Sequence, residues 1–263
     1  GLATGQIELT PYSAEKMFNC FYCKRCEAAC SSGVKLTEVF TDAKQDLMDM
    51  GLKGPGTTSV TYMNCARCLI CVGACPHEAR SHTEDGIETN PAKCQACGIC
   101  VEVCPAGAAT IENTFGTSRS ELSDRAKAFL DAHNDAQVIV FACNWSYYPE
   151  LQASRLPESE TKDNDYEILV NMCGGRLEAQ LLMAPFLNKA KGVLVACCPE
   201  GECQHDGNKK AIKLVENLKT TLEKVGIDSS RIQLVEIPAG DKTLFQAEID
   251  TFVEQMNQLG PIR

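Results

Sequence analysis

Aromatic residues are scarce in this 263-residue chain, at 6% with a single tryptophan. A stacking platform for nucleic-acid bases is therefore not expected. Basic residues are outnumbered, 25 Lys and Arg against 35 Asp and Glu, and a net charge of −10 lacks the electrostatic footprint of a phosphate binder. The four histidines, His77, His82, His133 and His205, show no metal-binding spacing, so structural or solvated roles are expected. No unbroken apolar run is longer than six residues, as at Val193–Cys198. That is far short of the ~20 residues a membrane span needs. No basic segment followed by an apolar core opens the chain, so a cytoplasmic setting is expected rather than secretion. There is no Gly-x-Gly-x-x-Gly or Walker loop after a strand and no nucleophile–base pair, which argues against dinucleotide binding and hydrolysis.

What the chain has in excess is cysteine, 17 residues. An odd number without a secretory leader disfavours a disulfide scaffold and leaves metal ligation or redox chemistry. Twelve of them fall into three runs of the form Cys-x2-Cys-x2-Cys-x3-Cys: Cys20, Cys23, Cys26, Cys30; then Cys65, Cys68, Cys71, Cys75; then Cys94, Cys97, Cys100, Cys104. Pro76 and Pro105 follow the second and third runs. Thiols at every third residue let a tight loop wrap three corners of a cuboidal 4Fe–4S cluster. The loop cannot reach behind the cluster, and in two-cluster ferredoxins the cysteine before proline ligates the other one. The expected sets are thus Cys65, Cys68, Cys71 with Cys104, and Cys94, Cys97, Cys100 with Cys75. Structural zinc prefers two Cys pairs split by a longer loop, which these runs match poorly.

In these forty or so residues the sequence resembles a bacterial-type ferredoxin, and the segments Pro76-His77-Glu78-Ala79 and Pro105-Ala106-Gly107-Ala108-Ala109 add to the likeness. The resemblance implies an α+β ferredoxin-like domain and low-potential electron transfer. The first run lacks the proline, since Ser31 follows Cys30, and it has no fourth copy to exchange with. A third 4Fe–4S cluster closed by Cys20, Cys23, Cys26 and Cys30 is expected, with zinc or a mixed site as the alternative. Between the first two runs, Leu36, Val39, Phe40, Ala43, Leu47 and Met50 mark one face of a helix that Gly51 and Gly54-Pro55-Gly56 should stop. This layout loosely resembles the small iron–sulfur subunit of heterodisulfide reductases.

Beyond Ile111 the pattern changes. Residues 112–120 read as a linker and Glu121–His133 as a helix. Four short apolar runs follow, Val138–Cys143, Glu167–Cys173, Val193–Cys198 and Ile232–Ile237, separated by helical patterns. The helices are expected over Arg176–Lys189, shortened or kinked at Pro185, and on the stripes Ile212, Val215, Leu218, Leu222, Val225 and Phe245, Ile249, Phe252, Val253, Met256. Continuous apolar strands alternating with helices imply an α/β domain with a short, mostly parallel four-stranded sheet. Cys143, Cys173 and Cys198 end three of the strands and Cys203 lies in the next loop, so four thiols should converge at the carboxyl edge. Buried structural thiols or zinc would also fit them. Cys197 should face the other side of the sheet. Trp145 is expected to pack over the site, and Lys209-Lys210 to be a solvated face.

The segments Cys143-Asn144-Trp145, Met172-Cys173-Gly174-Gly175-Arg176 and Cys198-Pro199-Glu200-Gly201-Glu202-Cys203, then Gly207-Asn208, resemble the iron–sulfur delta subunit of methyl-viologen-reducing hydrogenase. The likeness spans roughly residues 137–258. It implies a 2Fe–2S cluster on Cys143, Cys173, Cys198 and Cys203. Where that family has Cys-Cys-Asn-Trp-Cys, this chain has Ala142-Cys143-Asn144-Trp145-Ser146, which makes Cys143 the remaining thiol there and Ser146 or Cys197 its possible substitutes. The resemblance also implies a non-catalytic electron relay between a hydrogenase or formate dehydrogenase and a flavin-containing, heterodisulfide-reductase-like subunit. The expected division is 1–56, the first run and its helix; 57–111, the ferredoxin domain; 112–136, linker and helix; and 137–263, the delta-like domain. Three 4Fe–4S clusters and one 2Fe–2S cluster are expected. A flavin-binding subunit of an oxidoreductase and a zinc-binding assembly module are the competing readings.

Overall fold

The computed structural model describes residues 10, 17–18, 20, 22, 24–52, 58–94, 97–111, 119–133, 137–147, 160–162, 165–171, 173–203 and 206–262. Cys23, the Gly54-Pro55-Gly56 stop, most of the 112–120 linker, Met172 and His205 lie outside them. The chain forms two compact units, Gly1–Phe115 and Gly116–Arg263.

The first unit is built from cysteine loops and small elements. Helices α1 (Arg25–Ala28) and α2 (Leu36–Asp49) precede strand β1 (Thr58–Val60). Then come α3 (Ile70–Gly73), β2 (Arg80–Thr83), β3 (Gly86–Thr89), α4 (Ile99–Glu102) and β4 (Ala109–Ile111). The strands form two antiparallel ribbons, β1 with β4 and β2 with β3. A left-handed turn at Gly86, where a Cβ would run into the Tyr62 ring, opens β3. The expected apolar face of α2 is buried only in part, with Leu36, Phe40 and Ala43 half-buried. Val39 and Met50 are 53% and 64% exposed, whereas Leu47 and the charged Lys44 are buried. Leu47 packs with Phe18 in a small apolar cluster flanked by Met17, Met48 and Leu52.

The second unit holds the large core. It contains α5 (Arg119–Ala132), β5 (Val138–Cys143), α6 (Asn144–Tyr147), β6 (Glu160–Lys162) and β7 (Tyr166–Asn171). These are followed by α7 (Ala179–Leu187), β8 (Gly192–Cys197), α8 (Gly207–Lys224), β9 (Ile232–Glu236) and α9 (Lys242–Leu259). Four strands are parallel in the order β7-β5-β8-β9, and β6 joins antiparallel to β7 at the rim. This is an α/β domain, with one more strand than the sequence pattern foretold. The strands are apolar on both faces because helices cover both. Alternate residues Ile139, Phe141, Leu169, Val193 and Val195 meet α5, α7 and α8. Val138, Val140, Ile168, Leu194 and Ala196 meet α9 through Phe245, Ile249, Phe252 and Met256. Helix α7 tolerates Pro185 near its end, where Ala184 and Pro185 carbonyls are taken up by Asn188 and Ala190.

This strand order fixes where a ligand sits. The chain steps from β5 to β7 on one side, then crosses back to β8 on the other. In open α/β sheets the crevice at such a reversal, beyond the carboxyl ends, is the binding place. Here it lies between β5 and β8, which end at Cys143 and Cys197.

Candidate metal centres

The three cysteine runs of the first unit share one backbone course. In each, a four-residue helix begins five residues after the first cysteine, at Arg25, Ile70 and Ile99. The residue four after the first cysteine is left-handed in each: Lys24 (φ 58°), Leu69 (φ 62°) and Gly98 (φ 82°). Tyr22 and Arg67, two after the first cysteine, are left-handed as well, at φ 58° and 52°. Side chains other than glycine hold this conformation at a cost, which clusters at functional sites. After the fourth cysteine the likeness continues. Gly33, Glu78 and Gly107 each donate their N–H to the carbonyl of Cys30, Cys75 and Cys104, at 3.1, 3.3 and 3.2 Å.

Two pockets emerge from these loops. One is lined by Cys65, Cys68, Cys71 and Cys104 with Val60, Leu69 and Ile87. The other is lined by Cys75, Cys94, Cys97 and Cys100 with His77 and Arg80. Each fourth thiol has thus crossed to the opposite loop. Backbone amides follow it there. The N–H of Ala79 reaches Cys75 Sγ at 3.3 Å and that of Ala108 reaches Cys104 Sγ at 3.2 Å. Burial opposes ionisation of Cys104, yet the N–H groups of Ala109, Ala108, Ala106 and Gly107 together hold its thiol below the ordinary range. Cys30 is held low in the same way, by Val34, Ser32 and Gly33 N–H groups. Cys97 goes the other way. Burial first, then the Cys100, Cys94 and Cys75 thiols around it, push it up to about 12. Four such thiols ionise together only against a cationic centre.

In the second unit, Cys143, Cys173, Cys198 and Cys203 meet at the carboxyl edge. Cys143 shares a sulfur hydrogen bond with Cys198, Cys198 with Cys203, and Cys203 with Cys173. The first of these, opposed by burial and helped by the Trp145 and Ser146 N–H groups, draws Cys143 below the usual thiol range. Cys173 and Cys198 are pushed above it, first by their bonds to Cys203 and Cys143 and then by burial. Cys197 stays buried with its sulfur beneath Gly174, on the α8 side of the sheet, and burial raises it. The turn carrying Cys173 presses against the start of α8. A Cβ at Gly207 would collide with Cys173 Sγ and stand 2.6 Å from the Gly175 amide.

Three polar side chains stand at this edge; Ser146 and Asn208 belong to the segments that carry the resemblance, whereas Asn171 carried no signal in the sequence. Ser146, Asn171 and Asn208 are buried, and Ser146 Oγ and both amide atoms of each asparagine find no partner among the described residues. Asn171 stands opposite Cys143 in register and Asn208 adjoins Gly207. Buried donors of this kind are what cluster sulfur atoms accept from. The four thiols, the glycine cradle and these polar atoms therefore fit an iron–sulfur group. Lys210 is no solvated charge either, since its Nζ ties down the carbonyls of Gly175 and Leu177. Lys209 is exposed and pairs with Asp206. Among the histidines, His133 caps Phe129 O at 2.7 Å, His82 is exposed, and His77 lines the Cys94 pocket. Among the described residues no three His, Cys, Asp or Glu side chains are arranged to hold a single metal ion.

Comparison with known proteins agrees with these two kinds of site. Residues 138–260 match the family described as methyl-viologen-reducing hydrogenase, delta subunit, and residues 87–110 match a 4Fe-4S binding domain. The chain is 30% identical over 91 residues to the vhu iron-sulfur subunit of the F420-non-reducing hydrogenase of Methanopyrus kandleri, covering 34% of this chain and 69% of that protein. It is 27% identical over 128 residues to the vhc iron-sulfur subunit of the F420-non-reducing hydrogenase of Methanococcus voltae, 48% of this chain and 88% of that one. It is 29% identical over 126 residues to one subunit of the ferredoxin/F(420)H(2)-dependent CoB-CoM heterodisulfide reductase of Methanosarcina acetivorans, 48% of this chain. The match spans only 16% of that reductase subunit's length. The chain belongs to the methyl-viologen-reducing hydrogenase delta subunit family, whose domain it joins to a 4Fe-4S binding domain.

Proposed function

We propose that this chain is an iron–sulfur electron-transfer subunit, without a substrate pocket of its own. It would relay electrons between redox partners of a larger cytoplasmic assembly. The observation that carries this reading is the exchange of Cys75 and Cys104 between the two pockets, because a cuboidal cluster needs a ligand its own loop cannot supply. Clusters of this kind supply one-electron chemistry when bound, and the protein sets burial, hydrogen bonding and access. In this reading residues 57–111 form an α+β ferredoxin-like domain. Cys65, Cys68, Cys71 and Cys104 hold one 4Fe–4S centre, and Cys94, Cys97, Cys100 and Cys75 a second. The first run holds a third, through Cys20, Cys23, Cys26 and Cys30. Cys143, Cys173, Cys198 and Cys203 hold a 2Fe–2S centre at the sheet edge.

The relatives' names print a heterodisulfide reductase and a hydrogenase, which supports partners of these two kinds. In this reading a flavin-containing, heterodisulfide-reductase-like subunit stands on one side and a hydrogenase or a formate dehydrogenase on the other, the flavin and the formate dehydrogenase resting on the family resemblance alone. Among the described residues no helix is long and apolar enough to cross a membrane.

Anaerobically isolated protein should carry about fourteen iron and as many acid-labile sulfide ions per chain. Near-zero sulfide with several zinc ions would sink the proposal. Within it, Cys30→Ser tests the first run alone. Loss of about four irons is expected if Cys30 closes its own centre. Full retention would mean that Cys30 ligates no centre, and loss of the Cys65 or Cys94 signal in place of the first-run signal would mean that it serves a centre outside its run, as the shared turn lets Cys75 and Cys104 do.

A further inference from the structure

The first and third cysteine runs meet around one buried lysine. Lys44 on α2 is 1% exposed. Its Nζ donates to the Cys20 carbonyl at 2.7 Å and stands 4.2 Å from the centre of the Tyr22 ring and 6.0 Å from that of Phe18. The Tyr22 hydroxyl donates at 2.6 Å to the carbonyl of Ala92, two residues before Cys94. Cys20 and Cys94 are both close enough to act electrostatically on Lys44 and on Tyr22. The lysine and the phenol therefore fill the space between the two runs.

A buried ammonium is expensive unless negative charge faces it. What faces this one is a carbonyl, two aromatic rings and, on either side, a thiol-bearing loop. Exposure orders the loops further. Cys26 of the first run and Cys68 of the second are exposed, whereas Cys97 and Cys100 of the third are buried. Arg80, also buried, lines the pocket of the third run, and its Nε and Nη1 have no partner among the described residues.

We infer that the Cys94, Cys97, Cys100 and Cys75 site is the middle of three, with the first-run site on one side and the Cys65 site on the other, and that Lys44 is the positive charge shared by the middle and first-run sites. This rests on the reading of the first run as an iron–sulfur centre. Lys44 acts as a positioning residue for charge. An electron placed at either neighbouring site is negative charge added next to a fixed ammonium in a low-dielectric setting, which favours reduction there. The Tyr22–Ala92 bond fixes how far apart the two loops stand.

The test uses the full chain, purified anaerobically, as Lys44→Met and Lys44→Arg, with each centre followed by EPR during a reductive titration. In Lys44→Met the first-run and Cys94 centres should each become about tenfold harder to reduce, roughly 59 mV for one electron. The Cys65 and sheet-edge centres should not move, and Lys44→Arg should resemble the parent. An unmoved Cys94 centre, or an equal shift at all centres, overturns the inference. If Lys44→Met fails to assemble its first-run centre, the Cys94 centre still decides. Parent protein with iron for only the two ferredoxin centres and the sheet edge would instead defeat the reading of the first run, and the Cys94 potential would still report on Lys44.

Discussion

Replacing Cys198 with alanine should abolish the 2Fe–2S signal and remove about two irons per chain, while every 4Fe–4S signal survives. Cys198 is the hub of the sheet-edge thiols, bonded to both Cys143 and Cys203. It follows β8 directly, at the reversal of strand order. Cys197 is its neighbour in sequence but lies under Gly174 on the α8 side. The domain itself should stay folded, because its two apolar layers do not include Cys198. Gly207→Ala is the companion change. It leaves every thiol in place, yet its new methyl would collide with Cys173 Sγ. The same signal should be lost or strongly weakened. Loss of the 4Fe–4S signals with retention of the 2Fe–2S signal in Cys198→Ala would show that the assignment of the sheet edge is wrong.

Removing iron should unfold one unit and spare the other. In the ferredoxin-like segment the buried apolar side chains are mostly small: Ala79, Ala92, Ala108 and Ala109 around Ile87. A fully buried large apolar side chain stabilises by about 1.5–3 kcal/mol, whereas ordering each residue costs about 1–2 kcal/mol. Two three- or four-residue ribbons cannot close that gap, and the left-handed Arg67, Leu69 and Glu78 widen it. The centres must supply the difference, as metals do in other small domains. The second unit has a five-stranded sheet with helices on both faces, and its thiols lie at the edge of that core. After chelation under reducing conditions, hydrogen exchange should rise to near-unprotected levels across residues 58–111. The strands β5, β7, β8 and β9 should stay protected. Persistent protection over 58–111 would count against a metal-dependent fold.

The parallel strands were legible in the sequence to within two residues because both faces are covered, which leaves each one a continuous apolar run; β7 stops at Asn171, so Cys173 lies just past its strand and not at its end. The convergence of Cys143, Cys173, Cys198 and Cys203 was legible for a related reason, since parallel strands end on a common edge. Strand β6 was not, because Glu160-Thr161-Lys162 has neither length nor an apolar pattern. On α2 the periodicity pointed rightly at Leu47 but wrongly at Val39 and Met50, and tertiary packing added Lys44. A period reports which residues avoid water, and a lysine placed against Tyr22, Cys20 and Cys94 is held by charge and aromatic contact that no hydropathy pattern encodes. Asn171 was missed likewise, and Lys210 was read as a solvated charge, because their surroundings depend on neighbours remote in sequence.

The reversed strand at the sheet's rim bears on how the protein behaves when crowded. An open sheet invites another molecule to continue its ladder, and strands that are short or run against the grain blunt that tendency. With β6 only three residues long and antiparallel to β7, a second molecule finds little backbone to zip onto at that end. Assemblies built from this chain are thereby steered away from fibre-like stacking along that rim and toward contacts made by loops and helices.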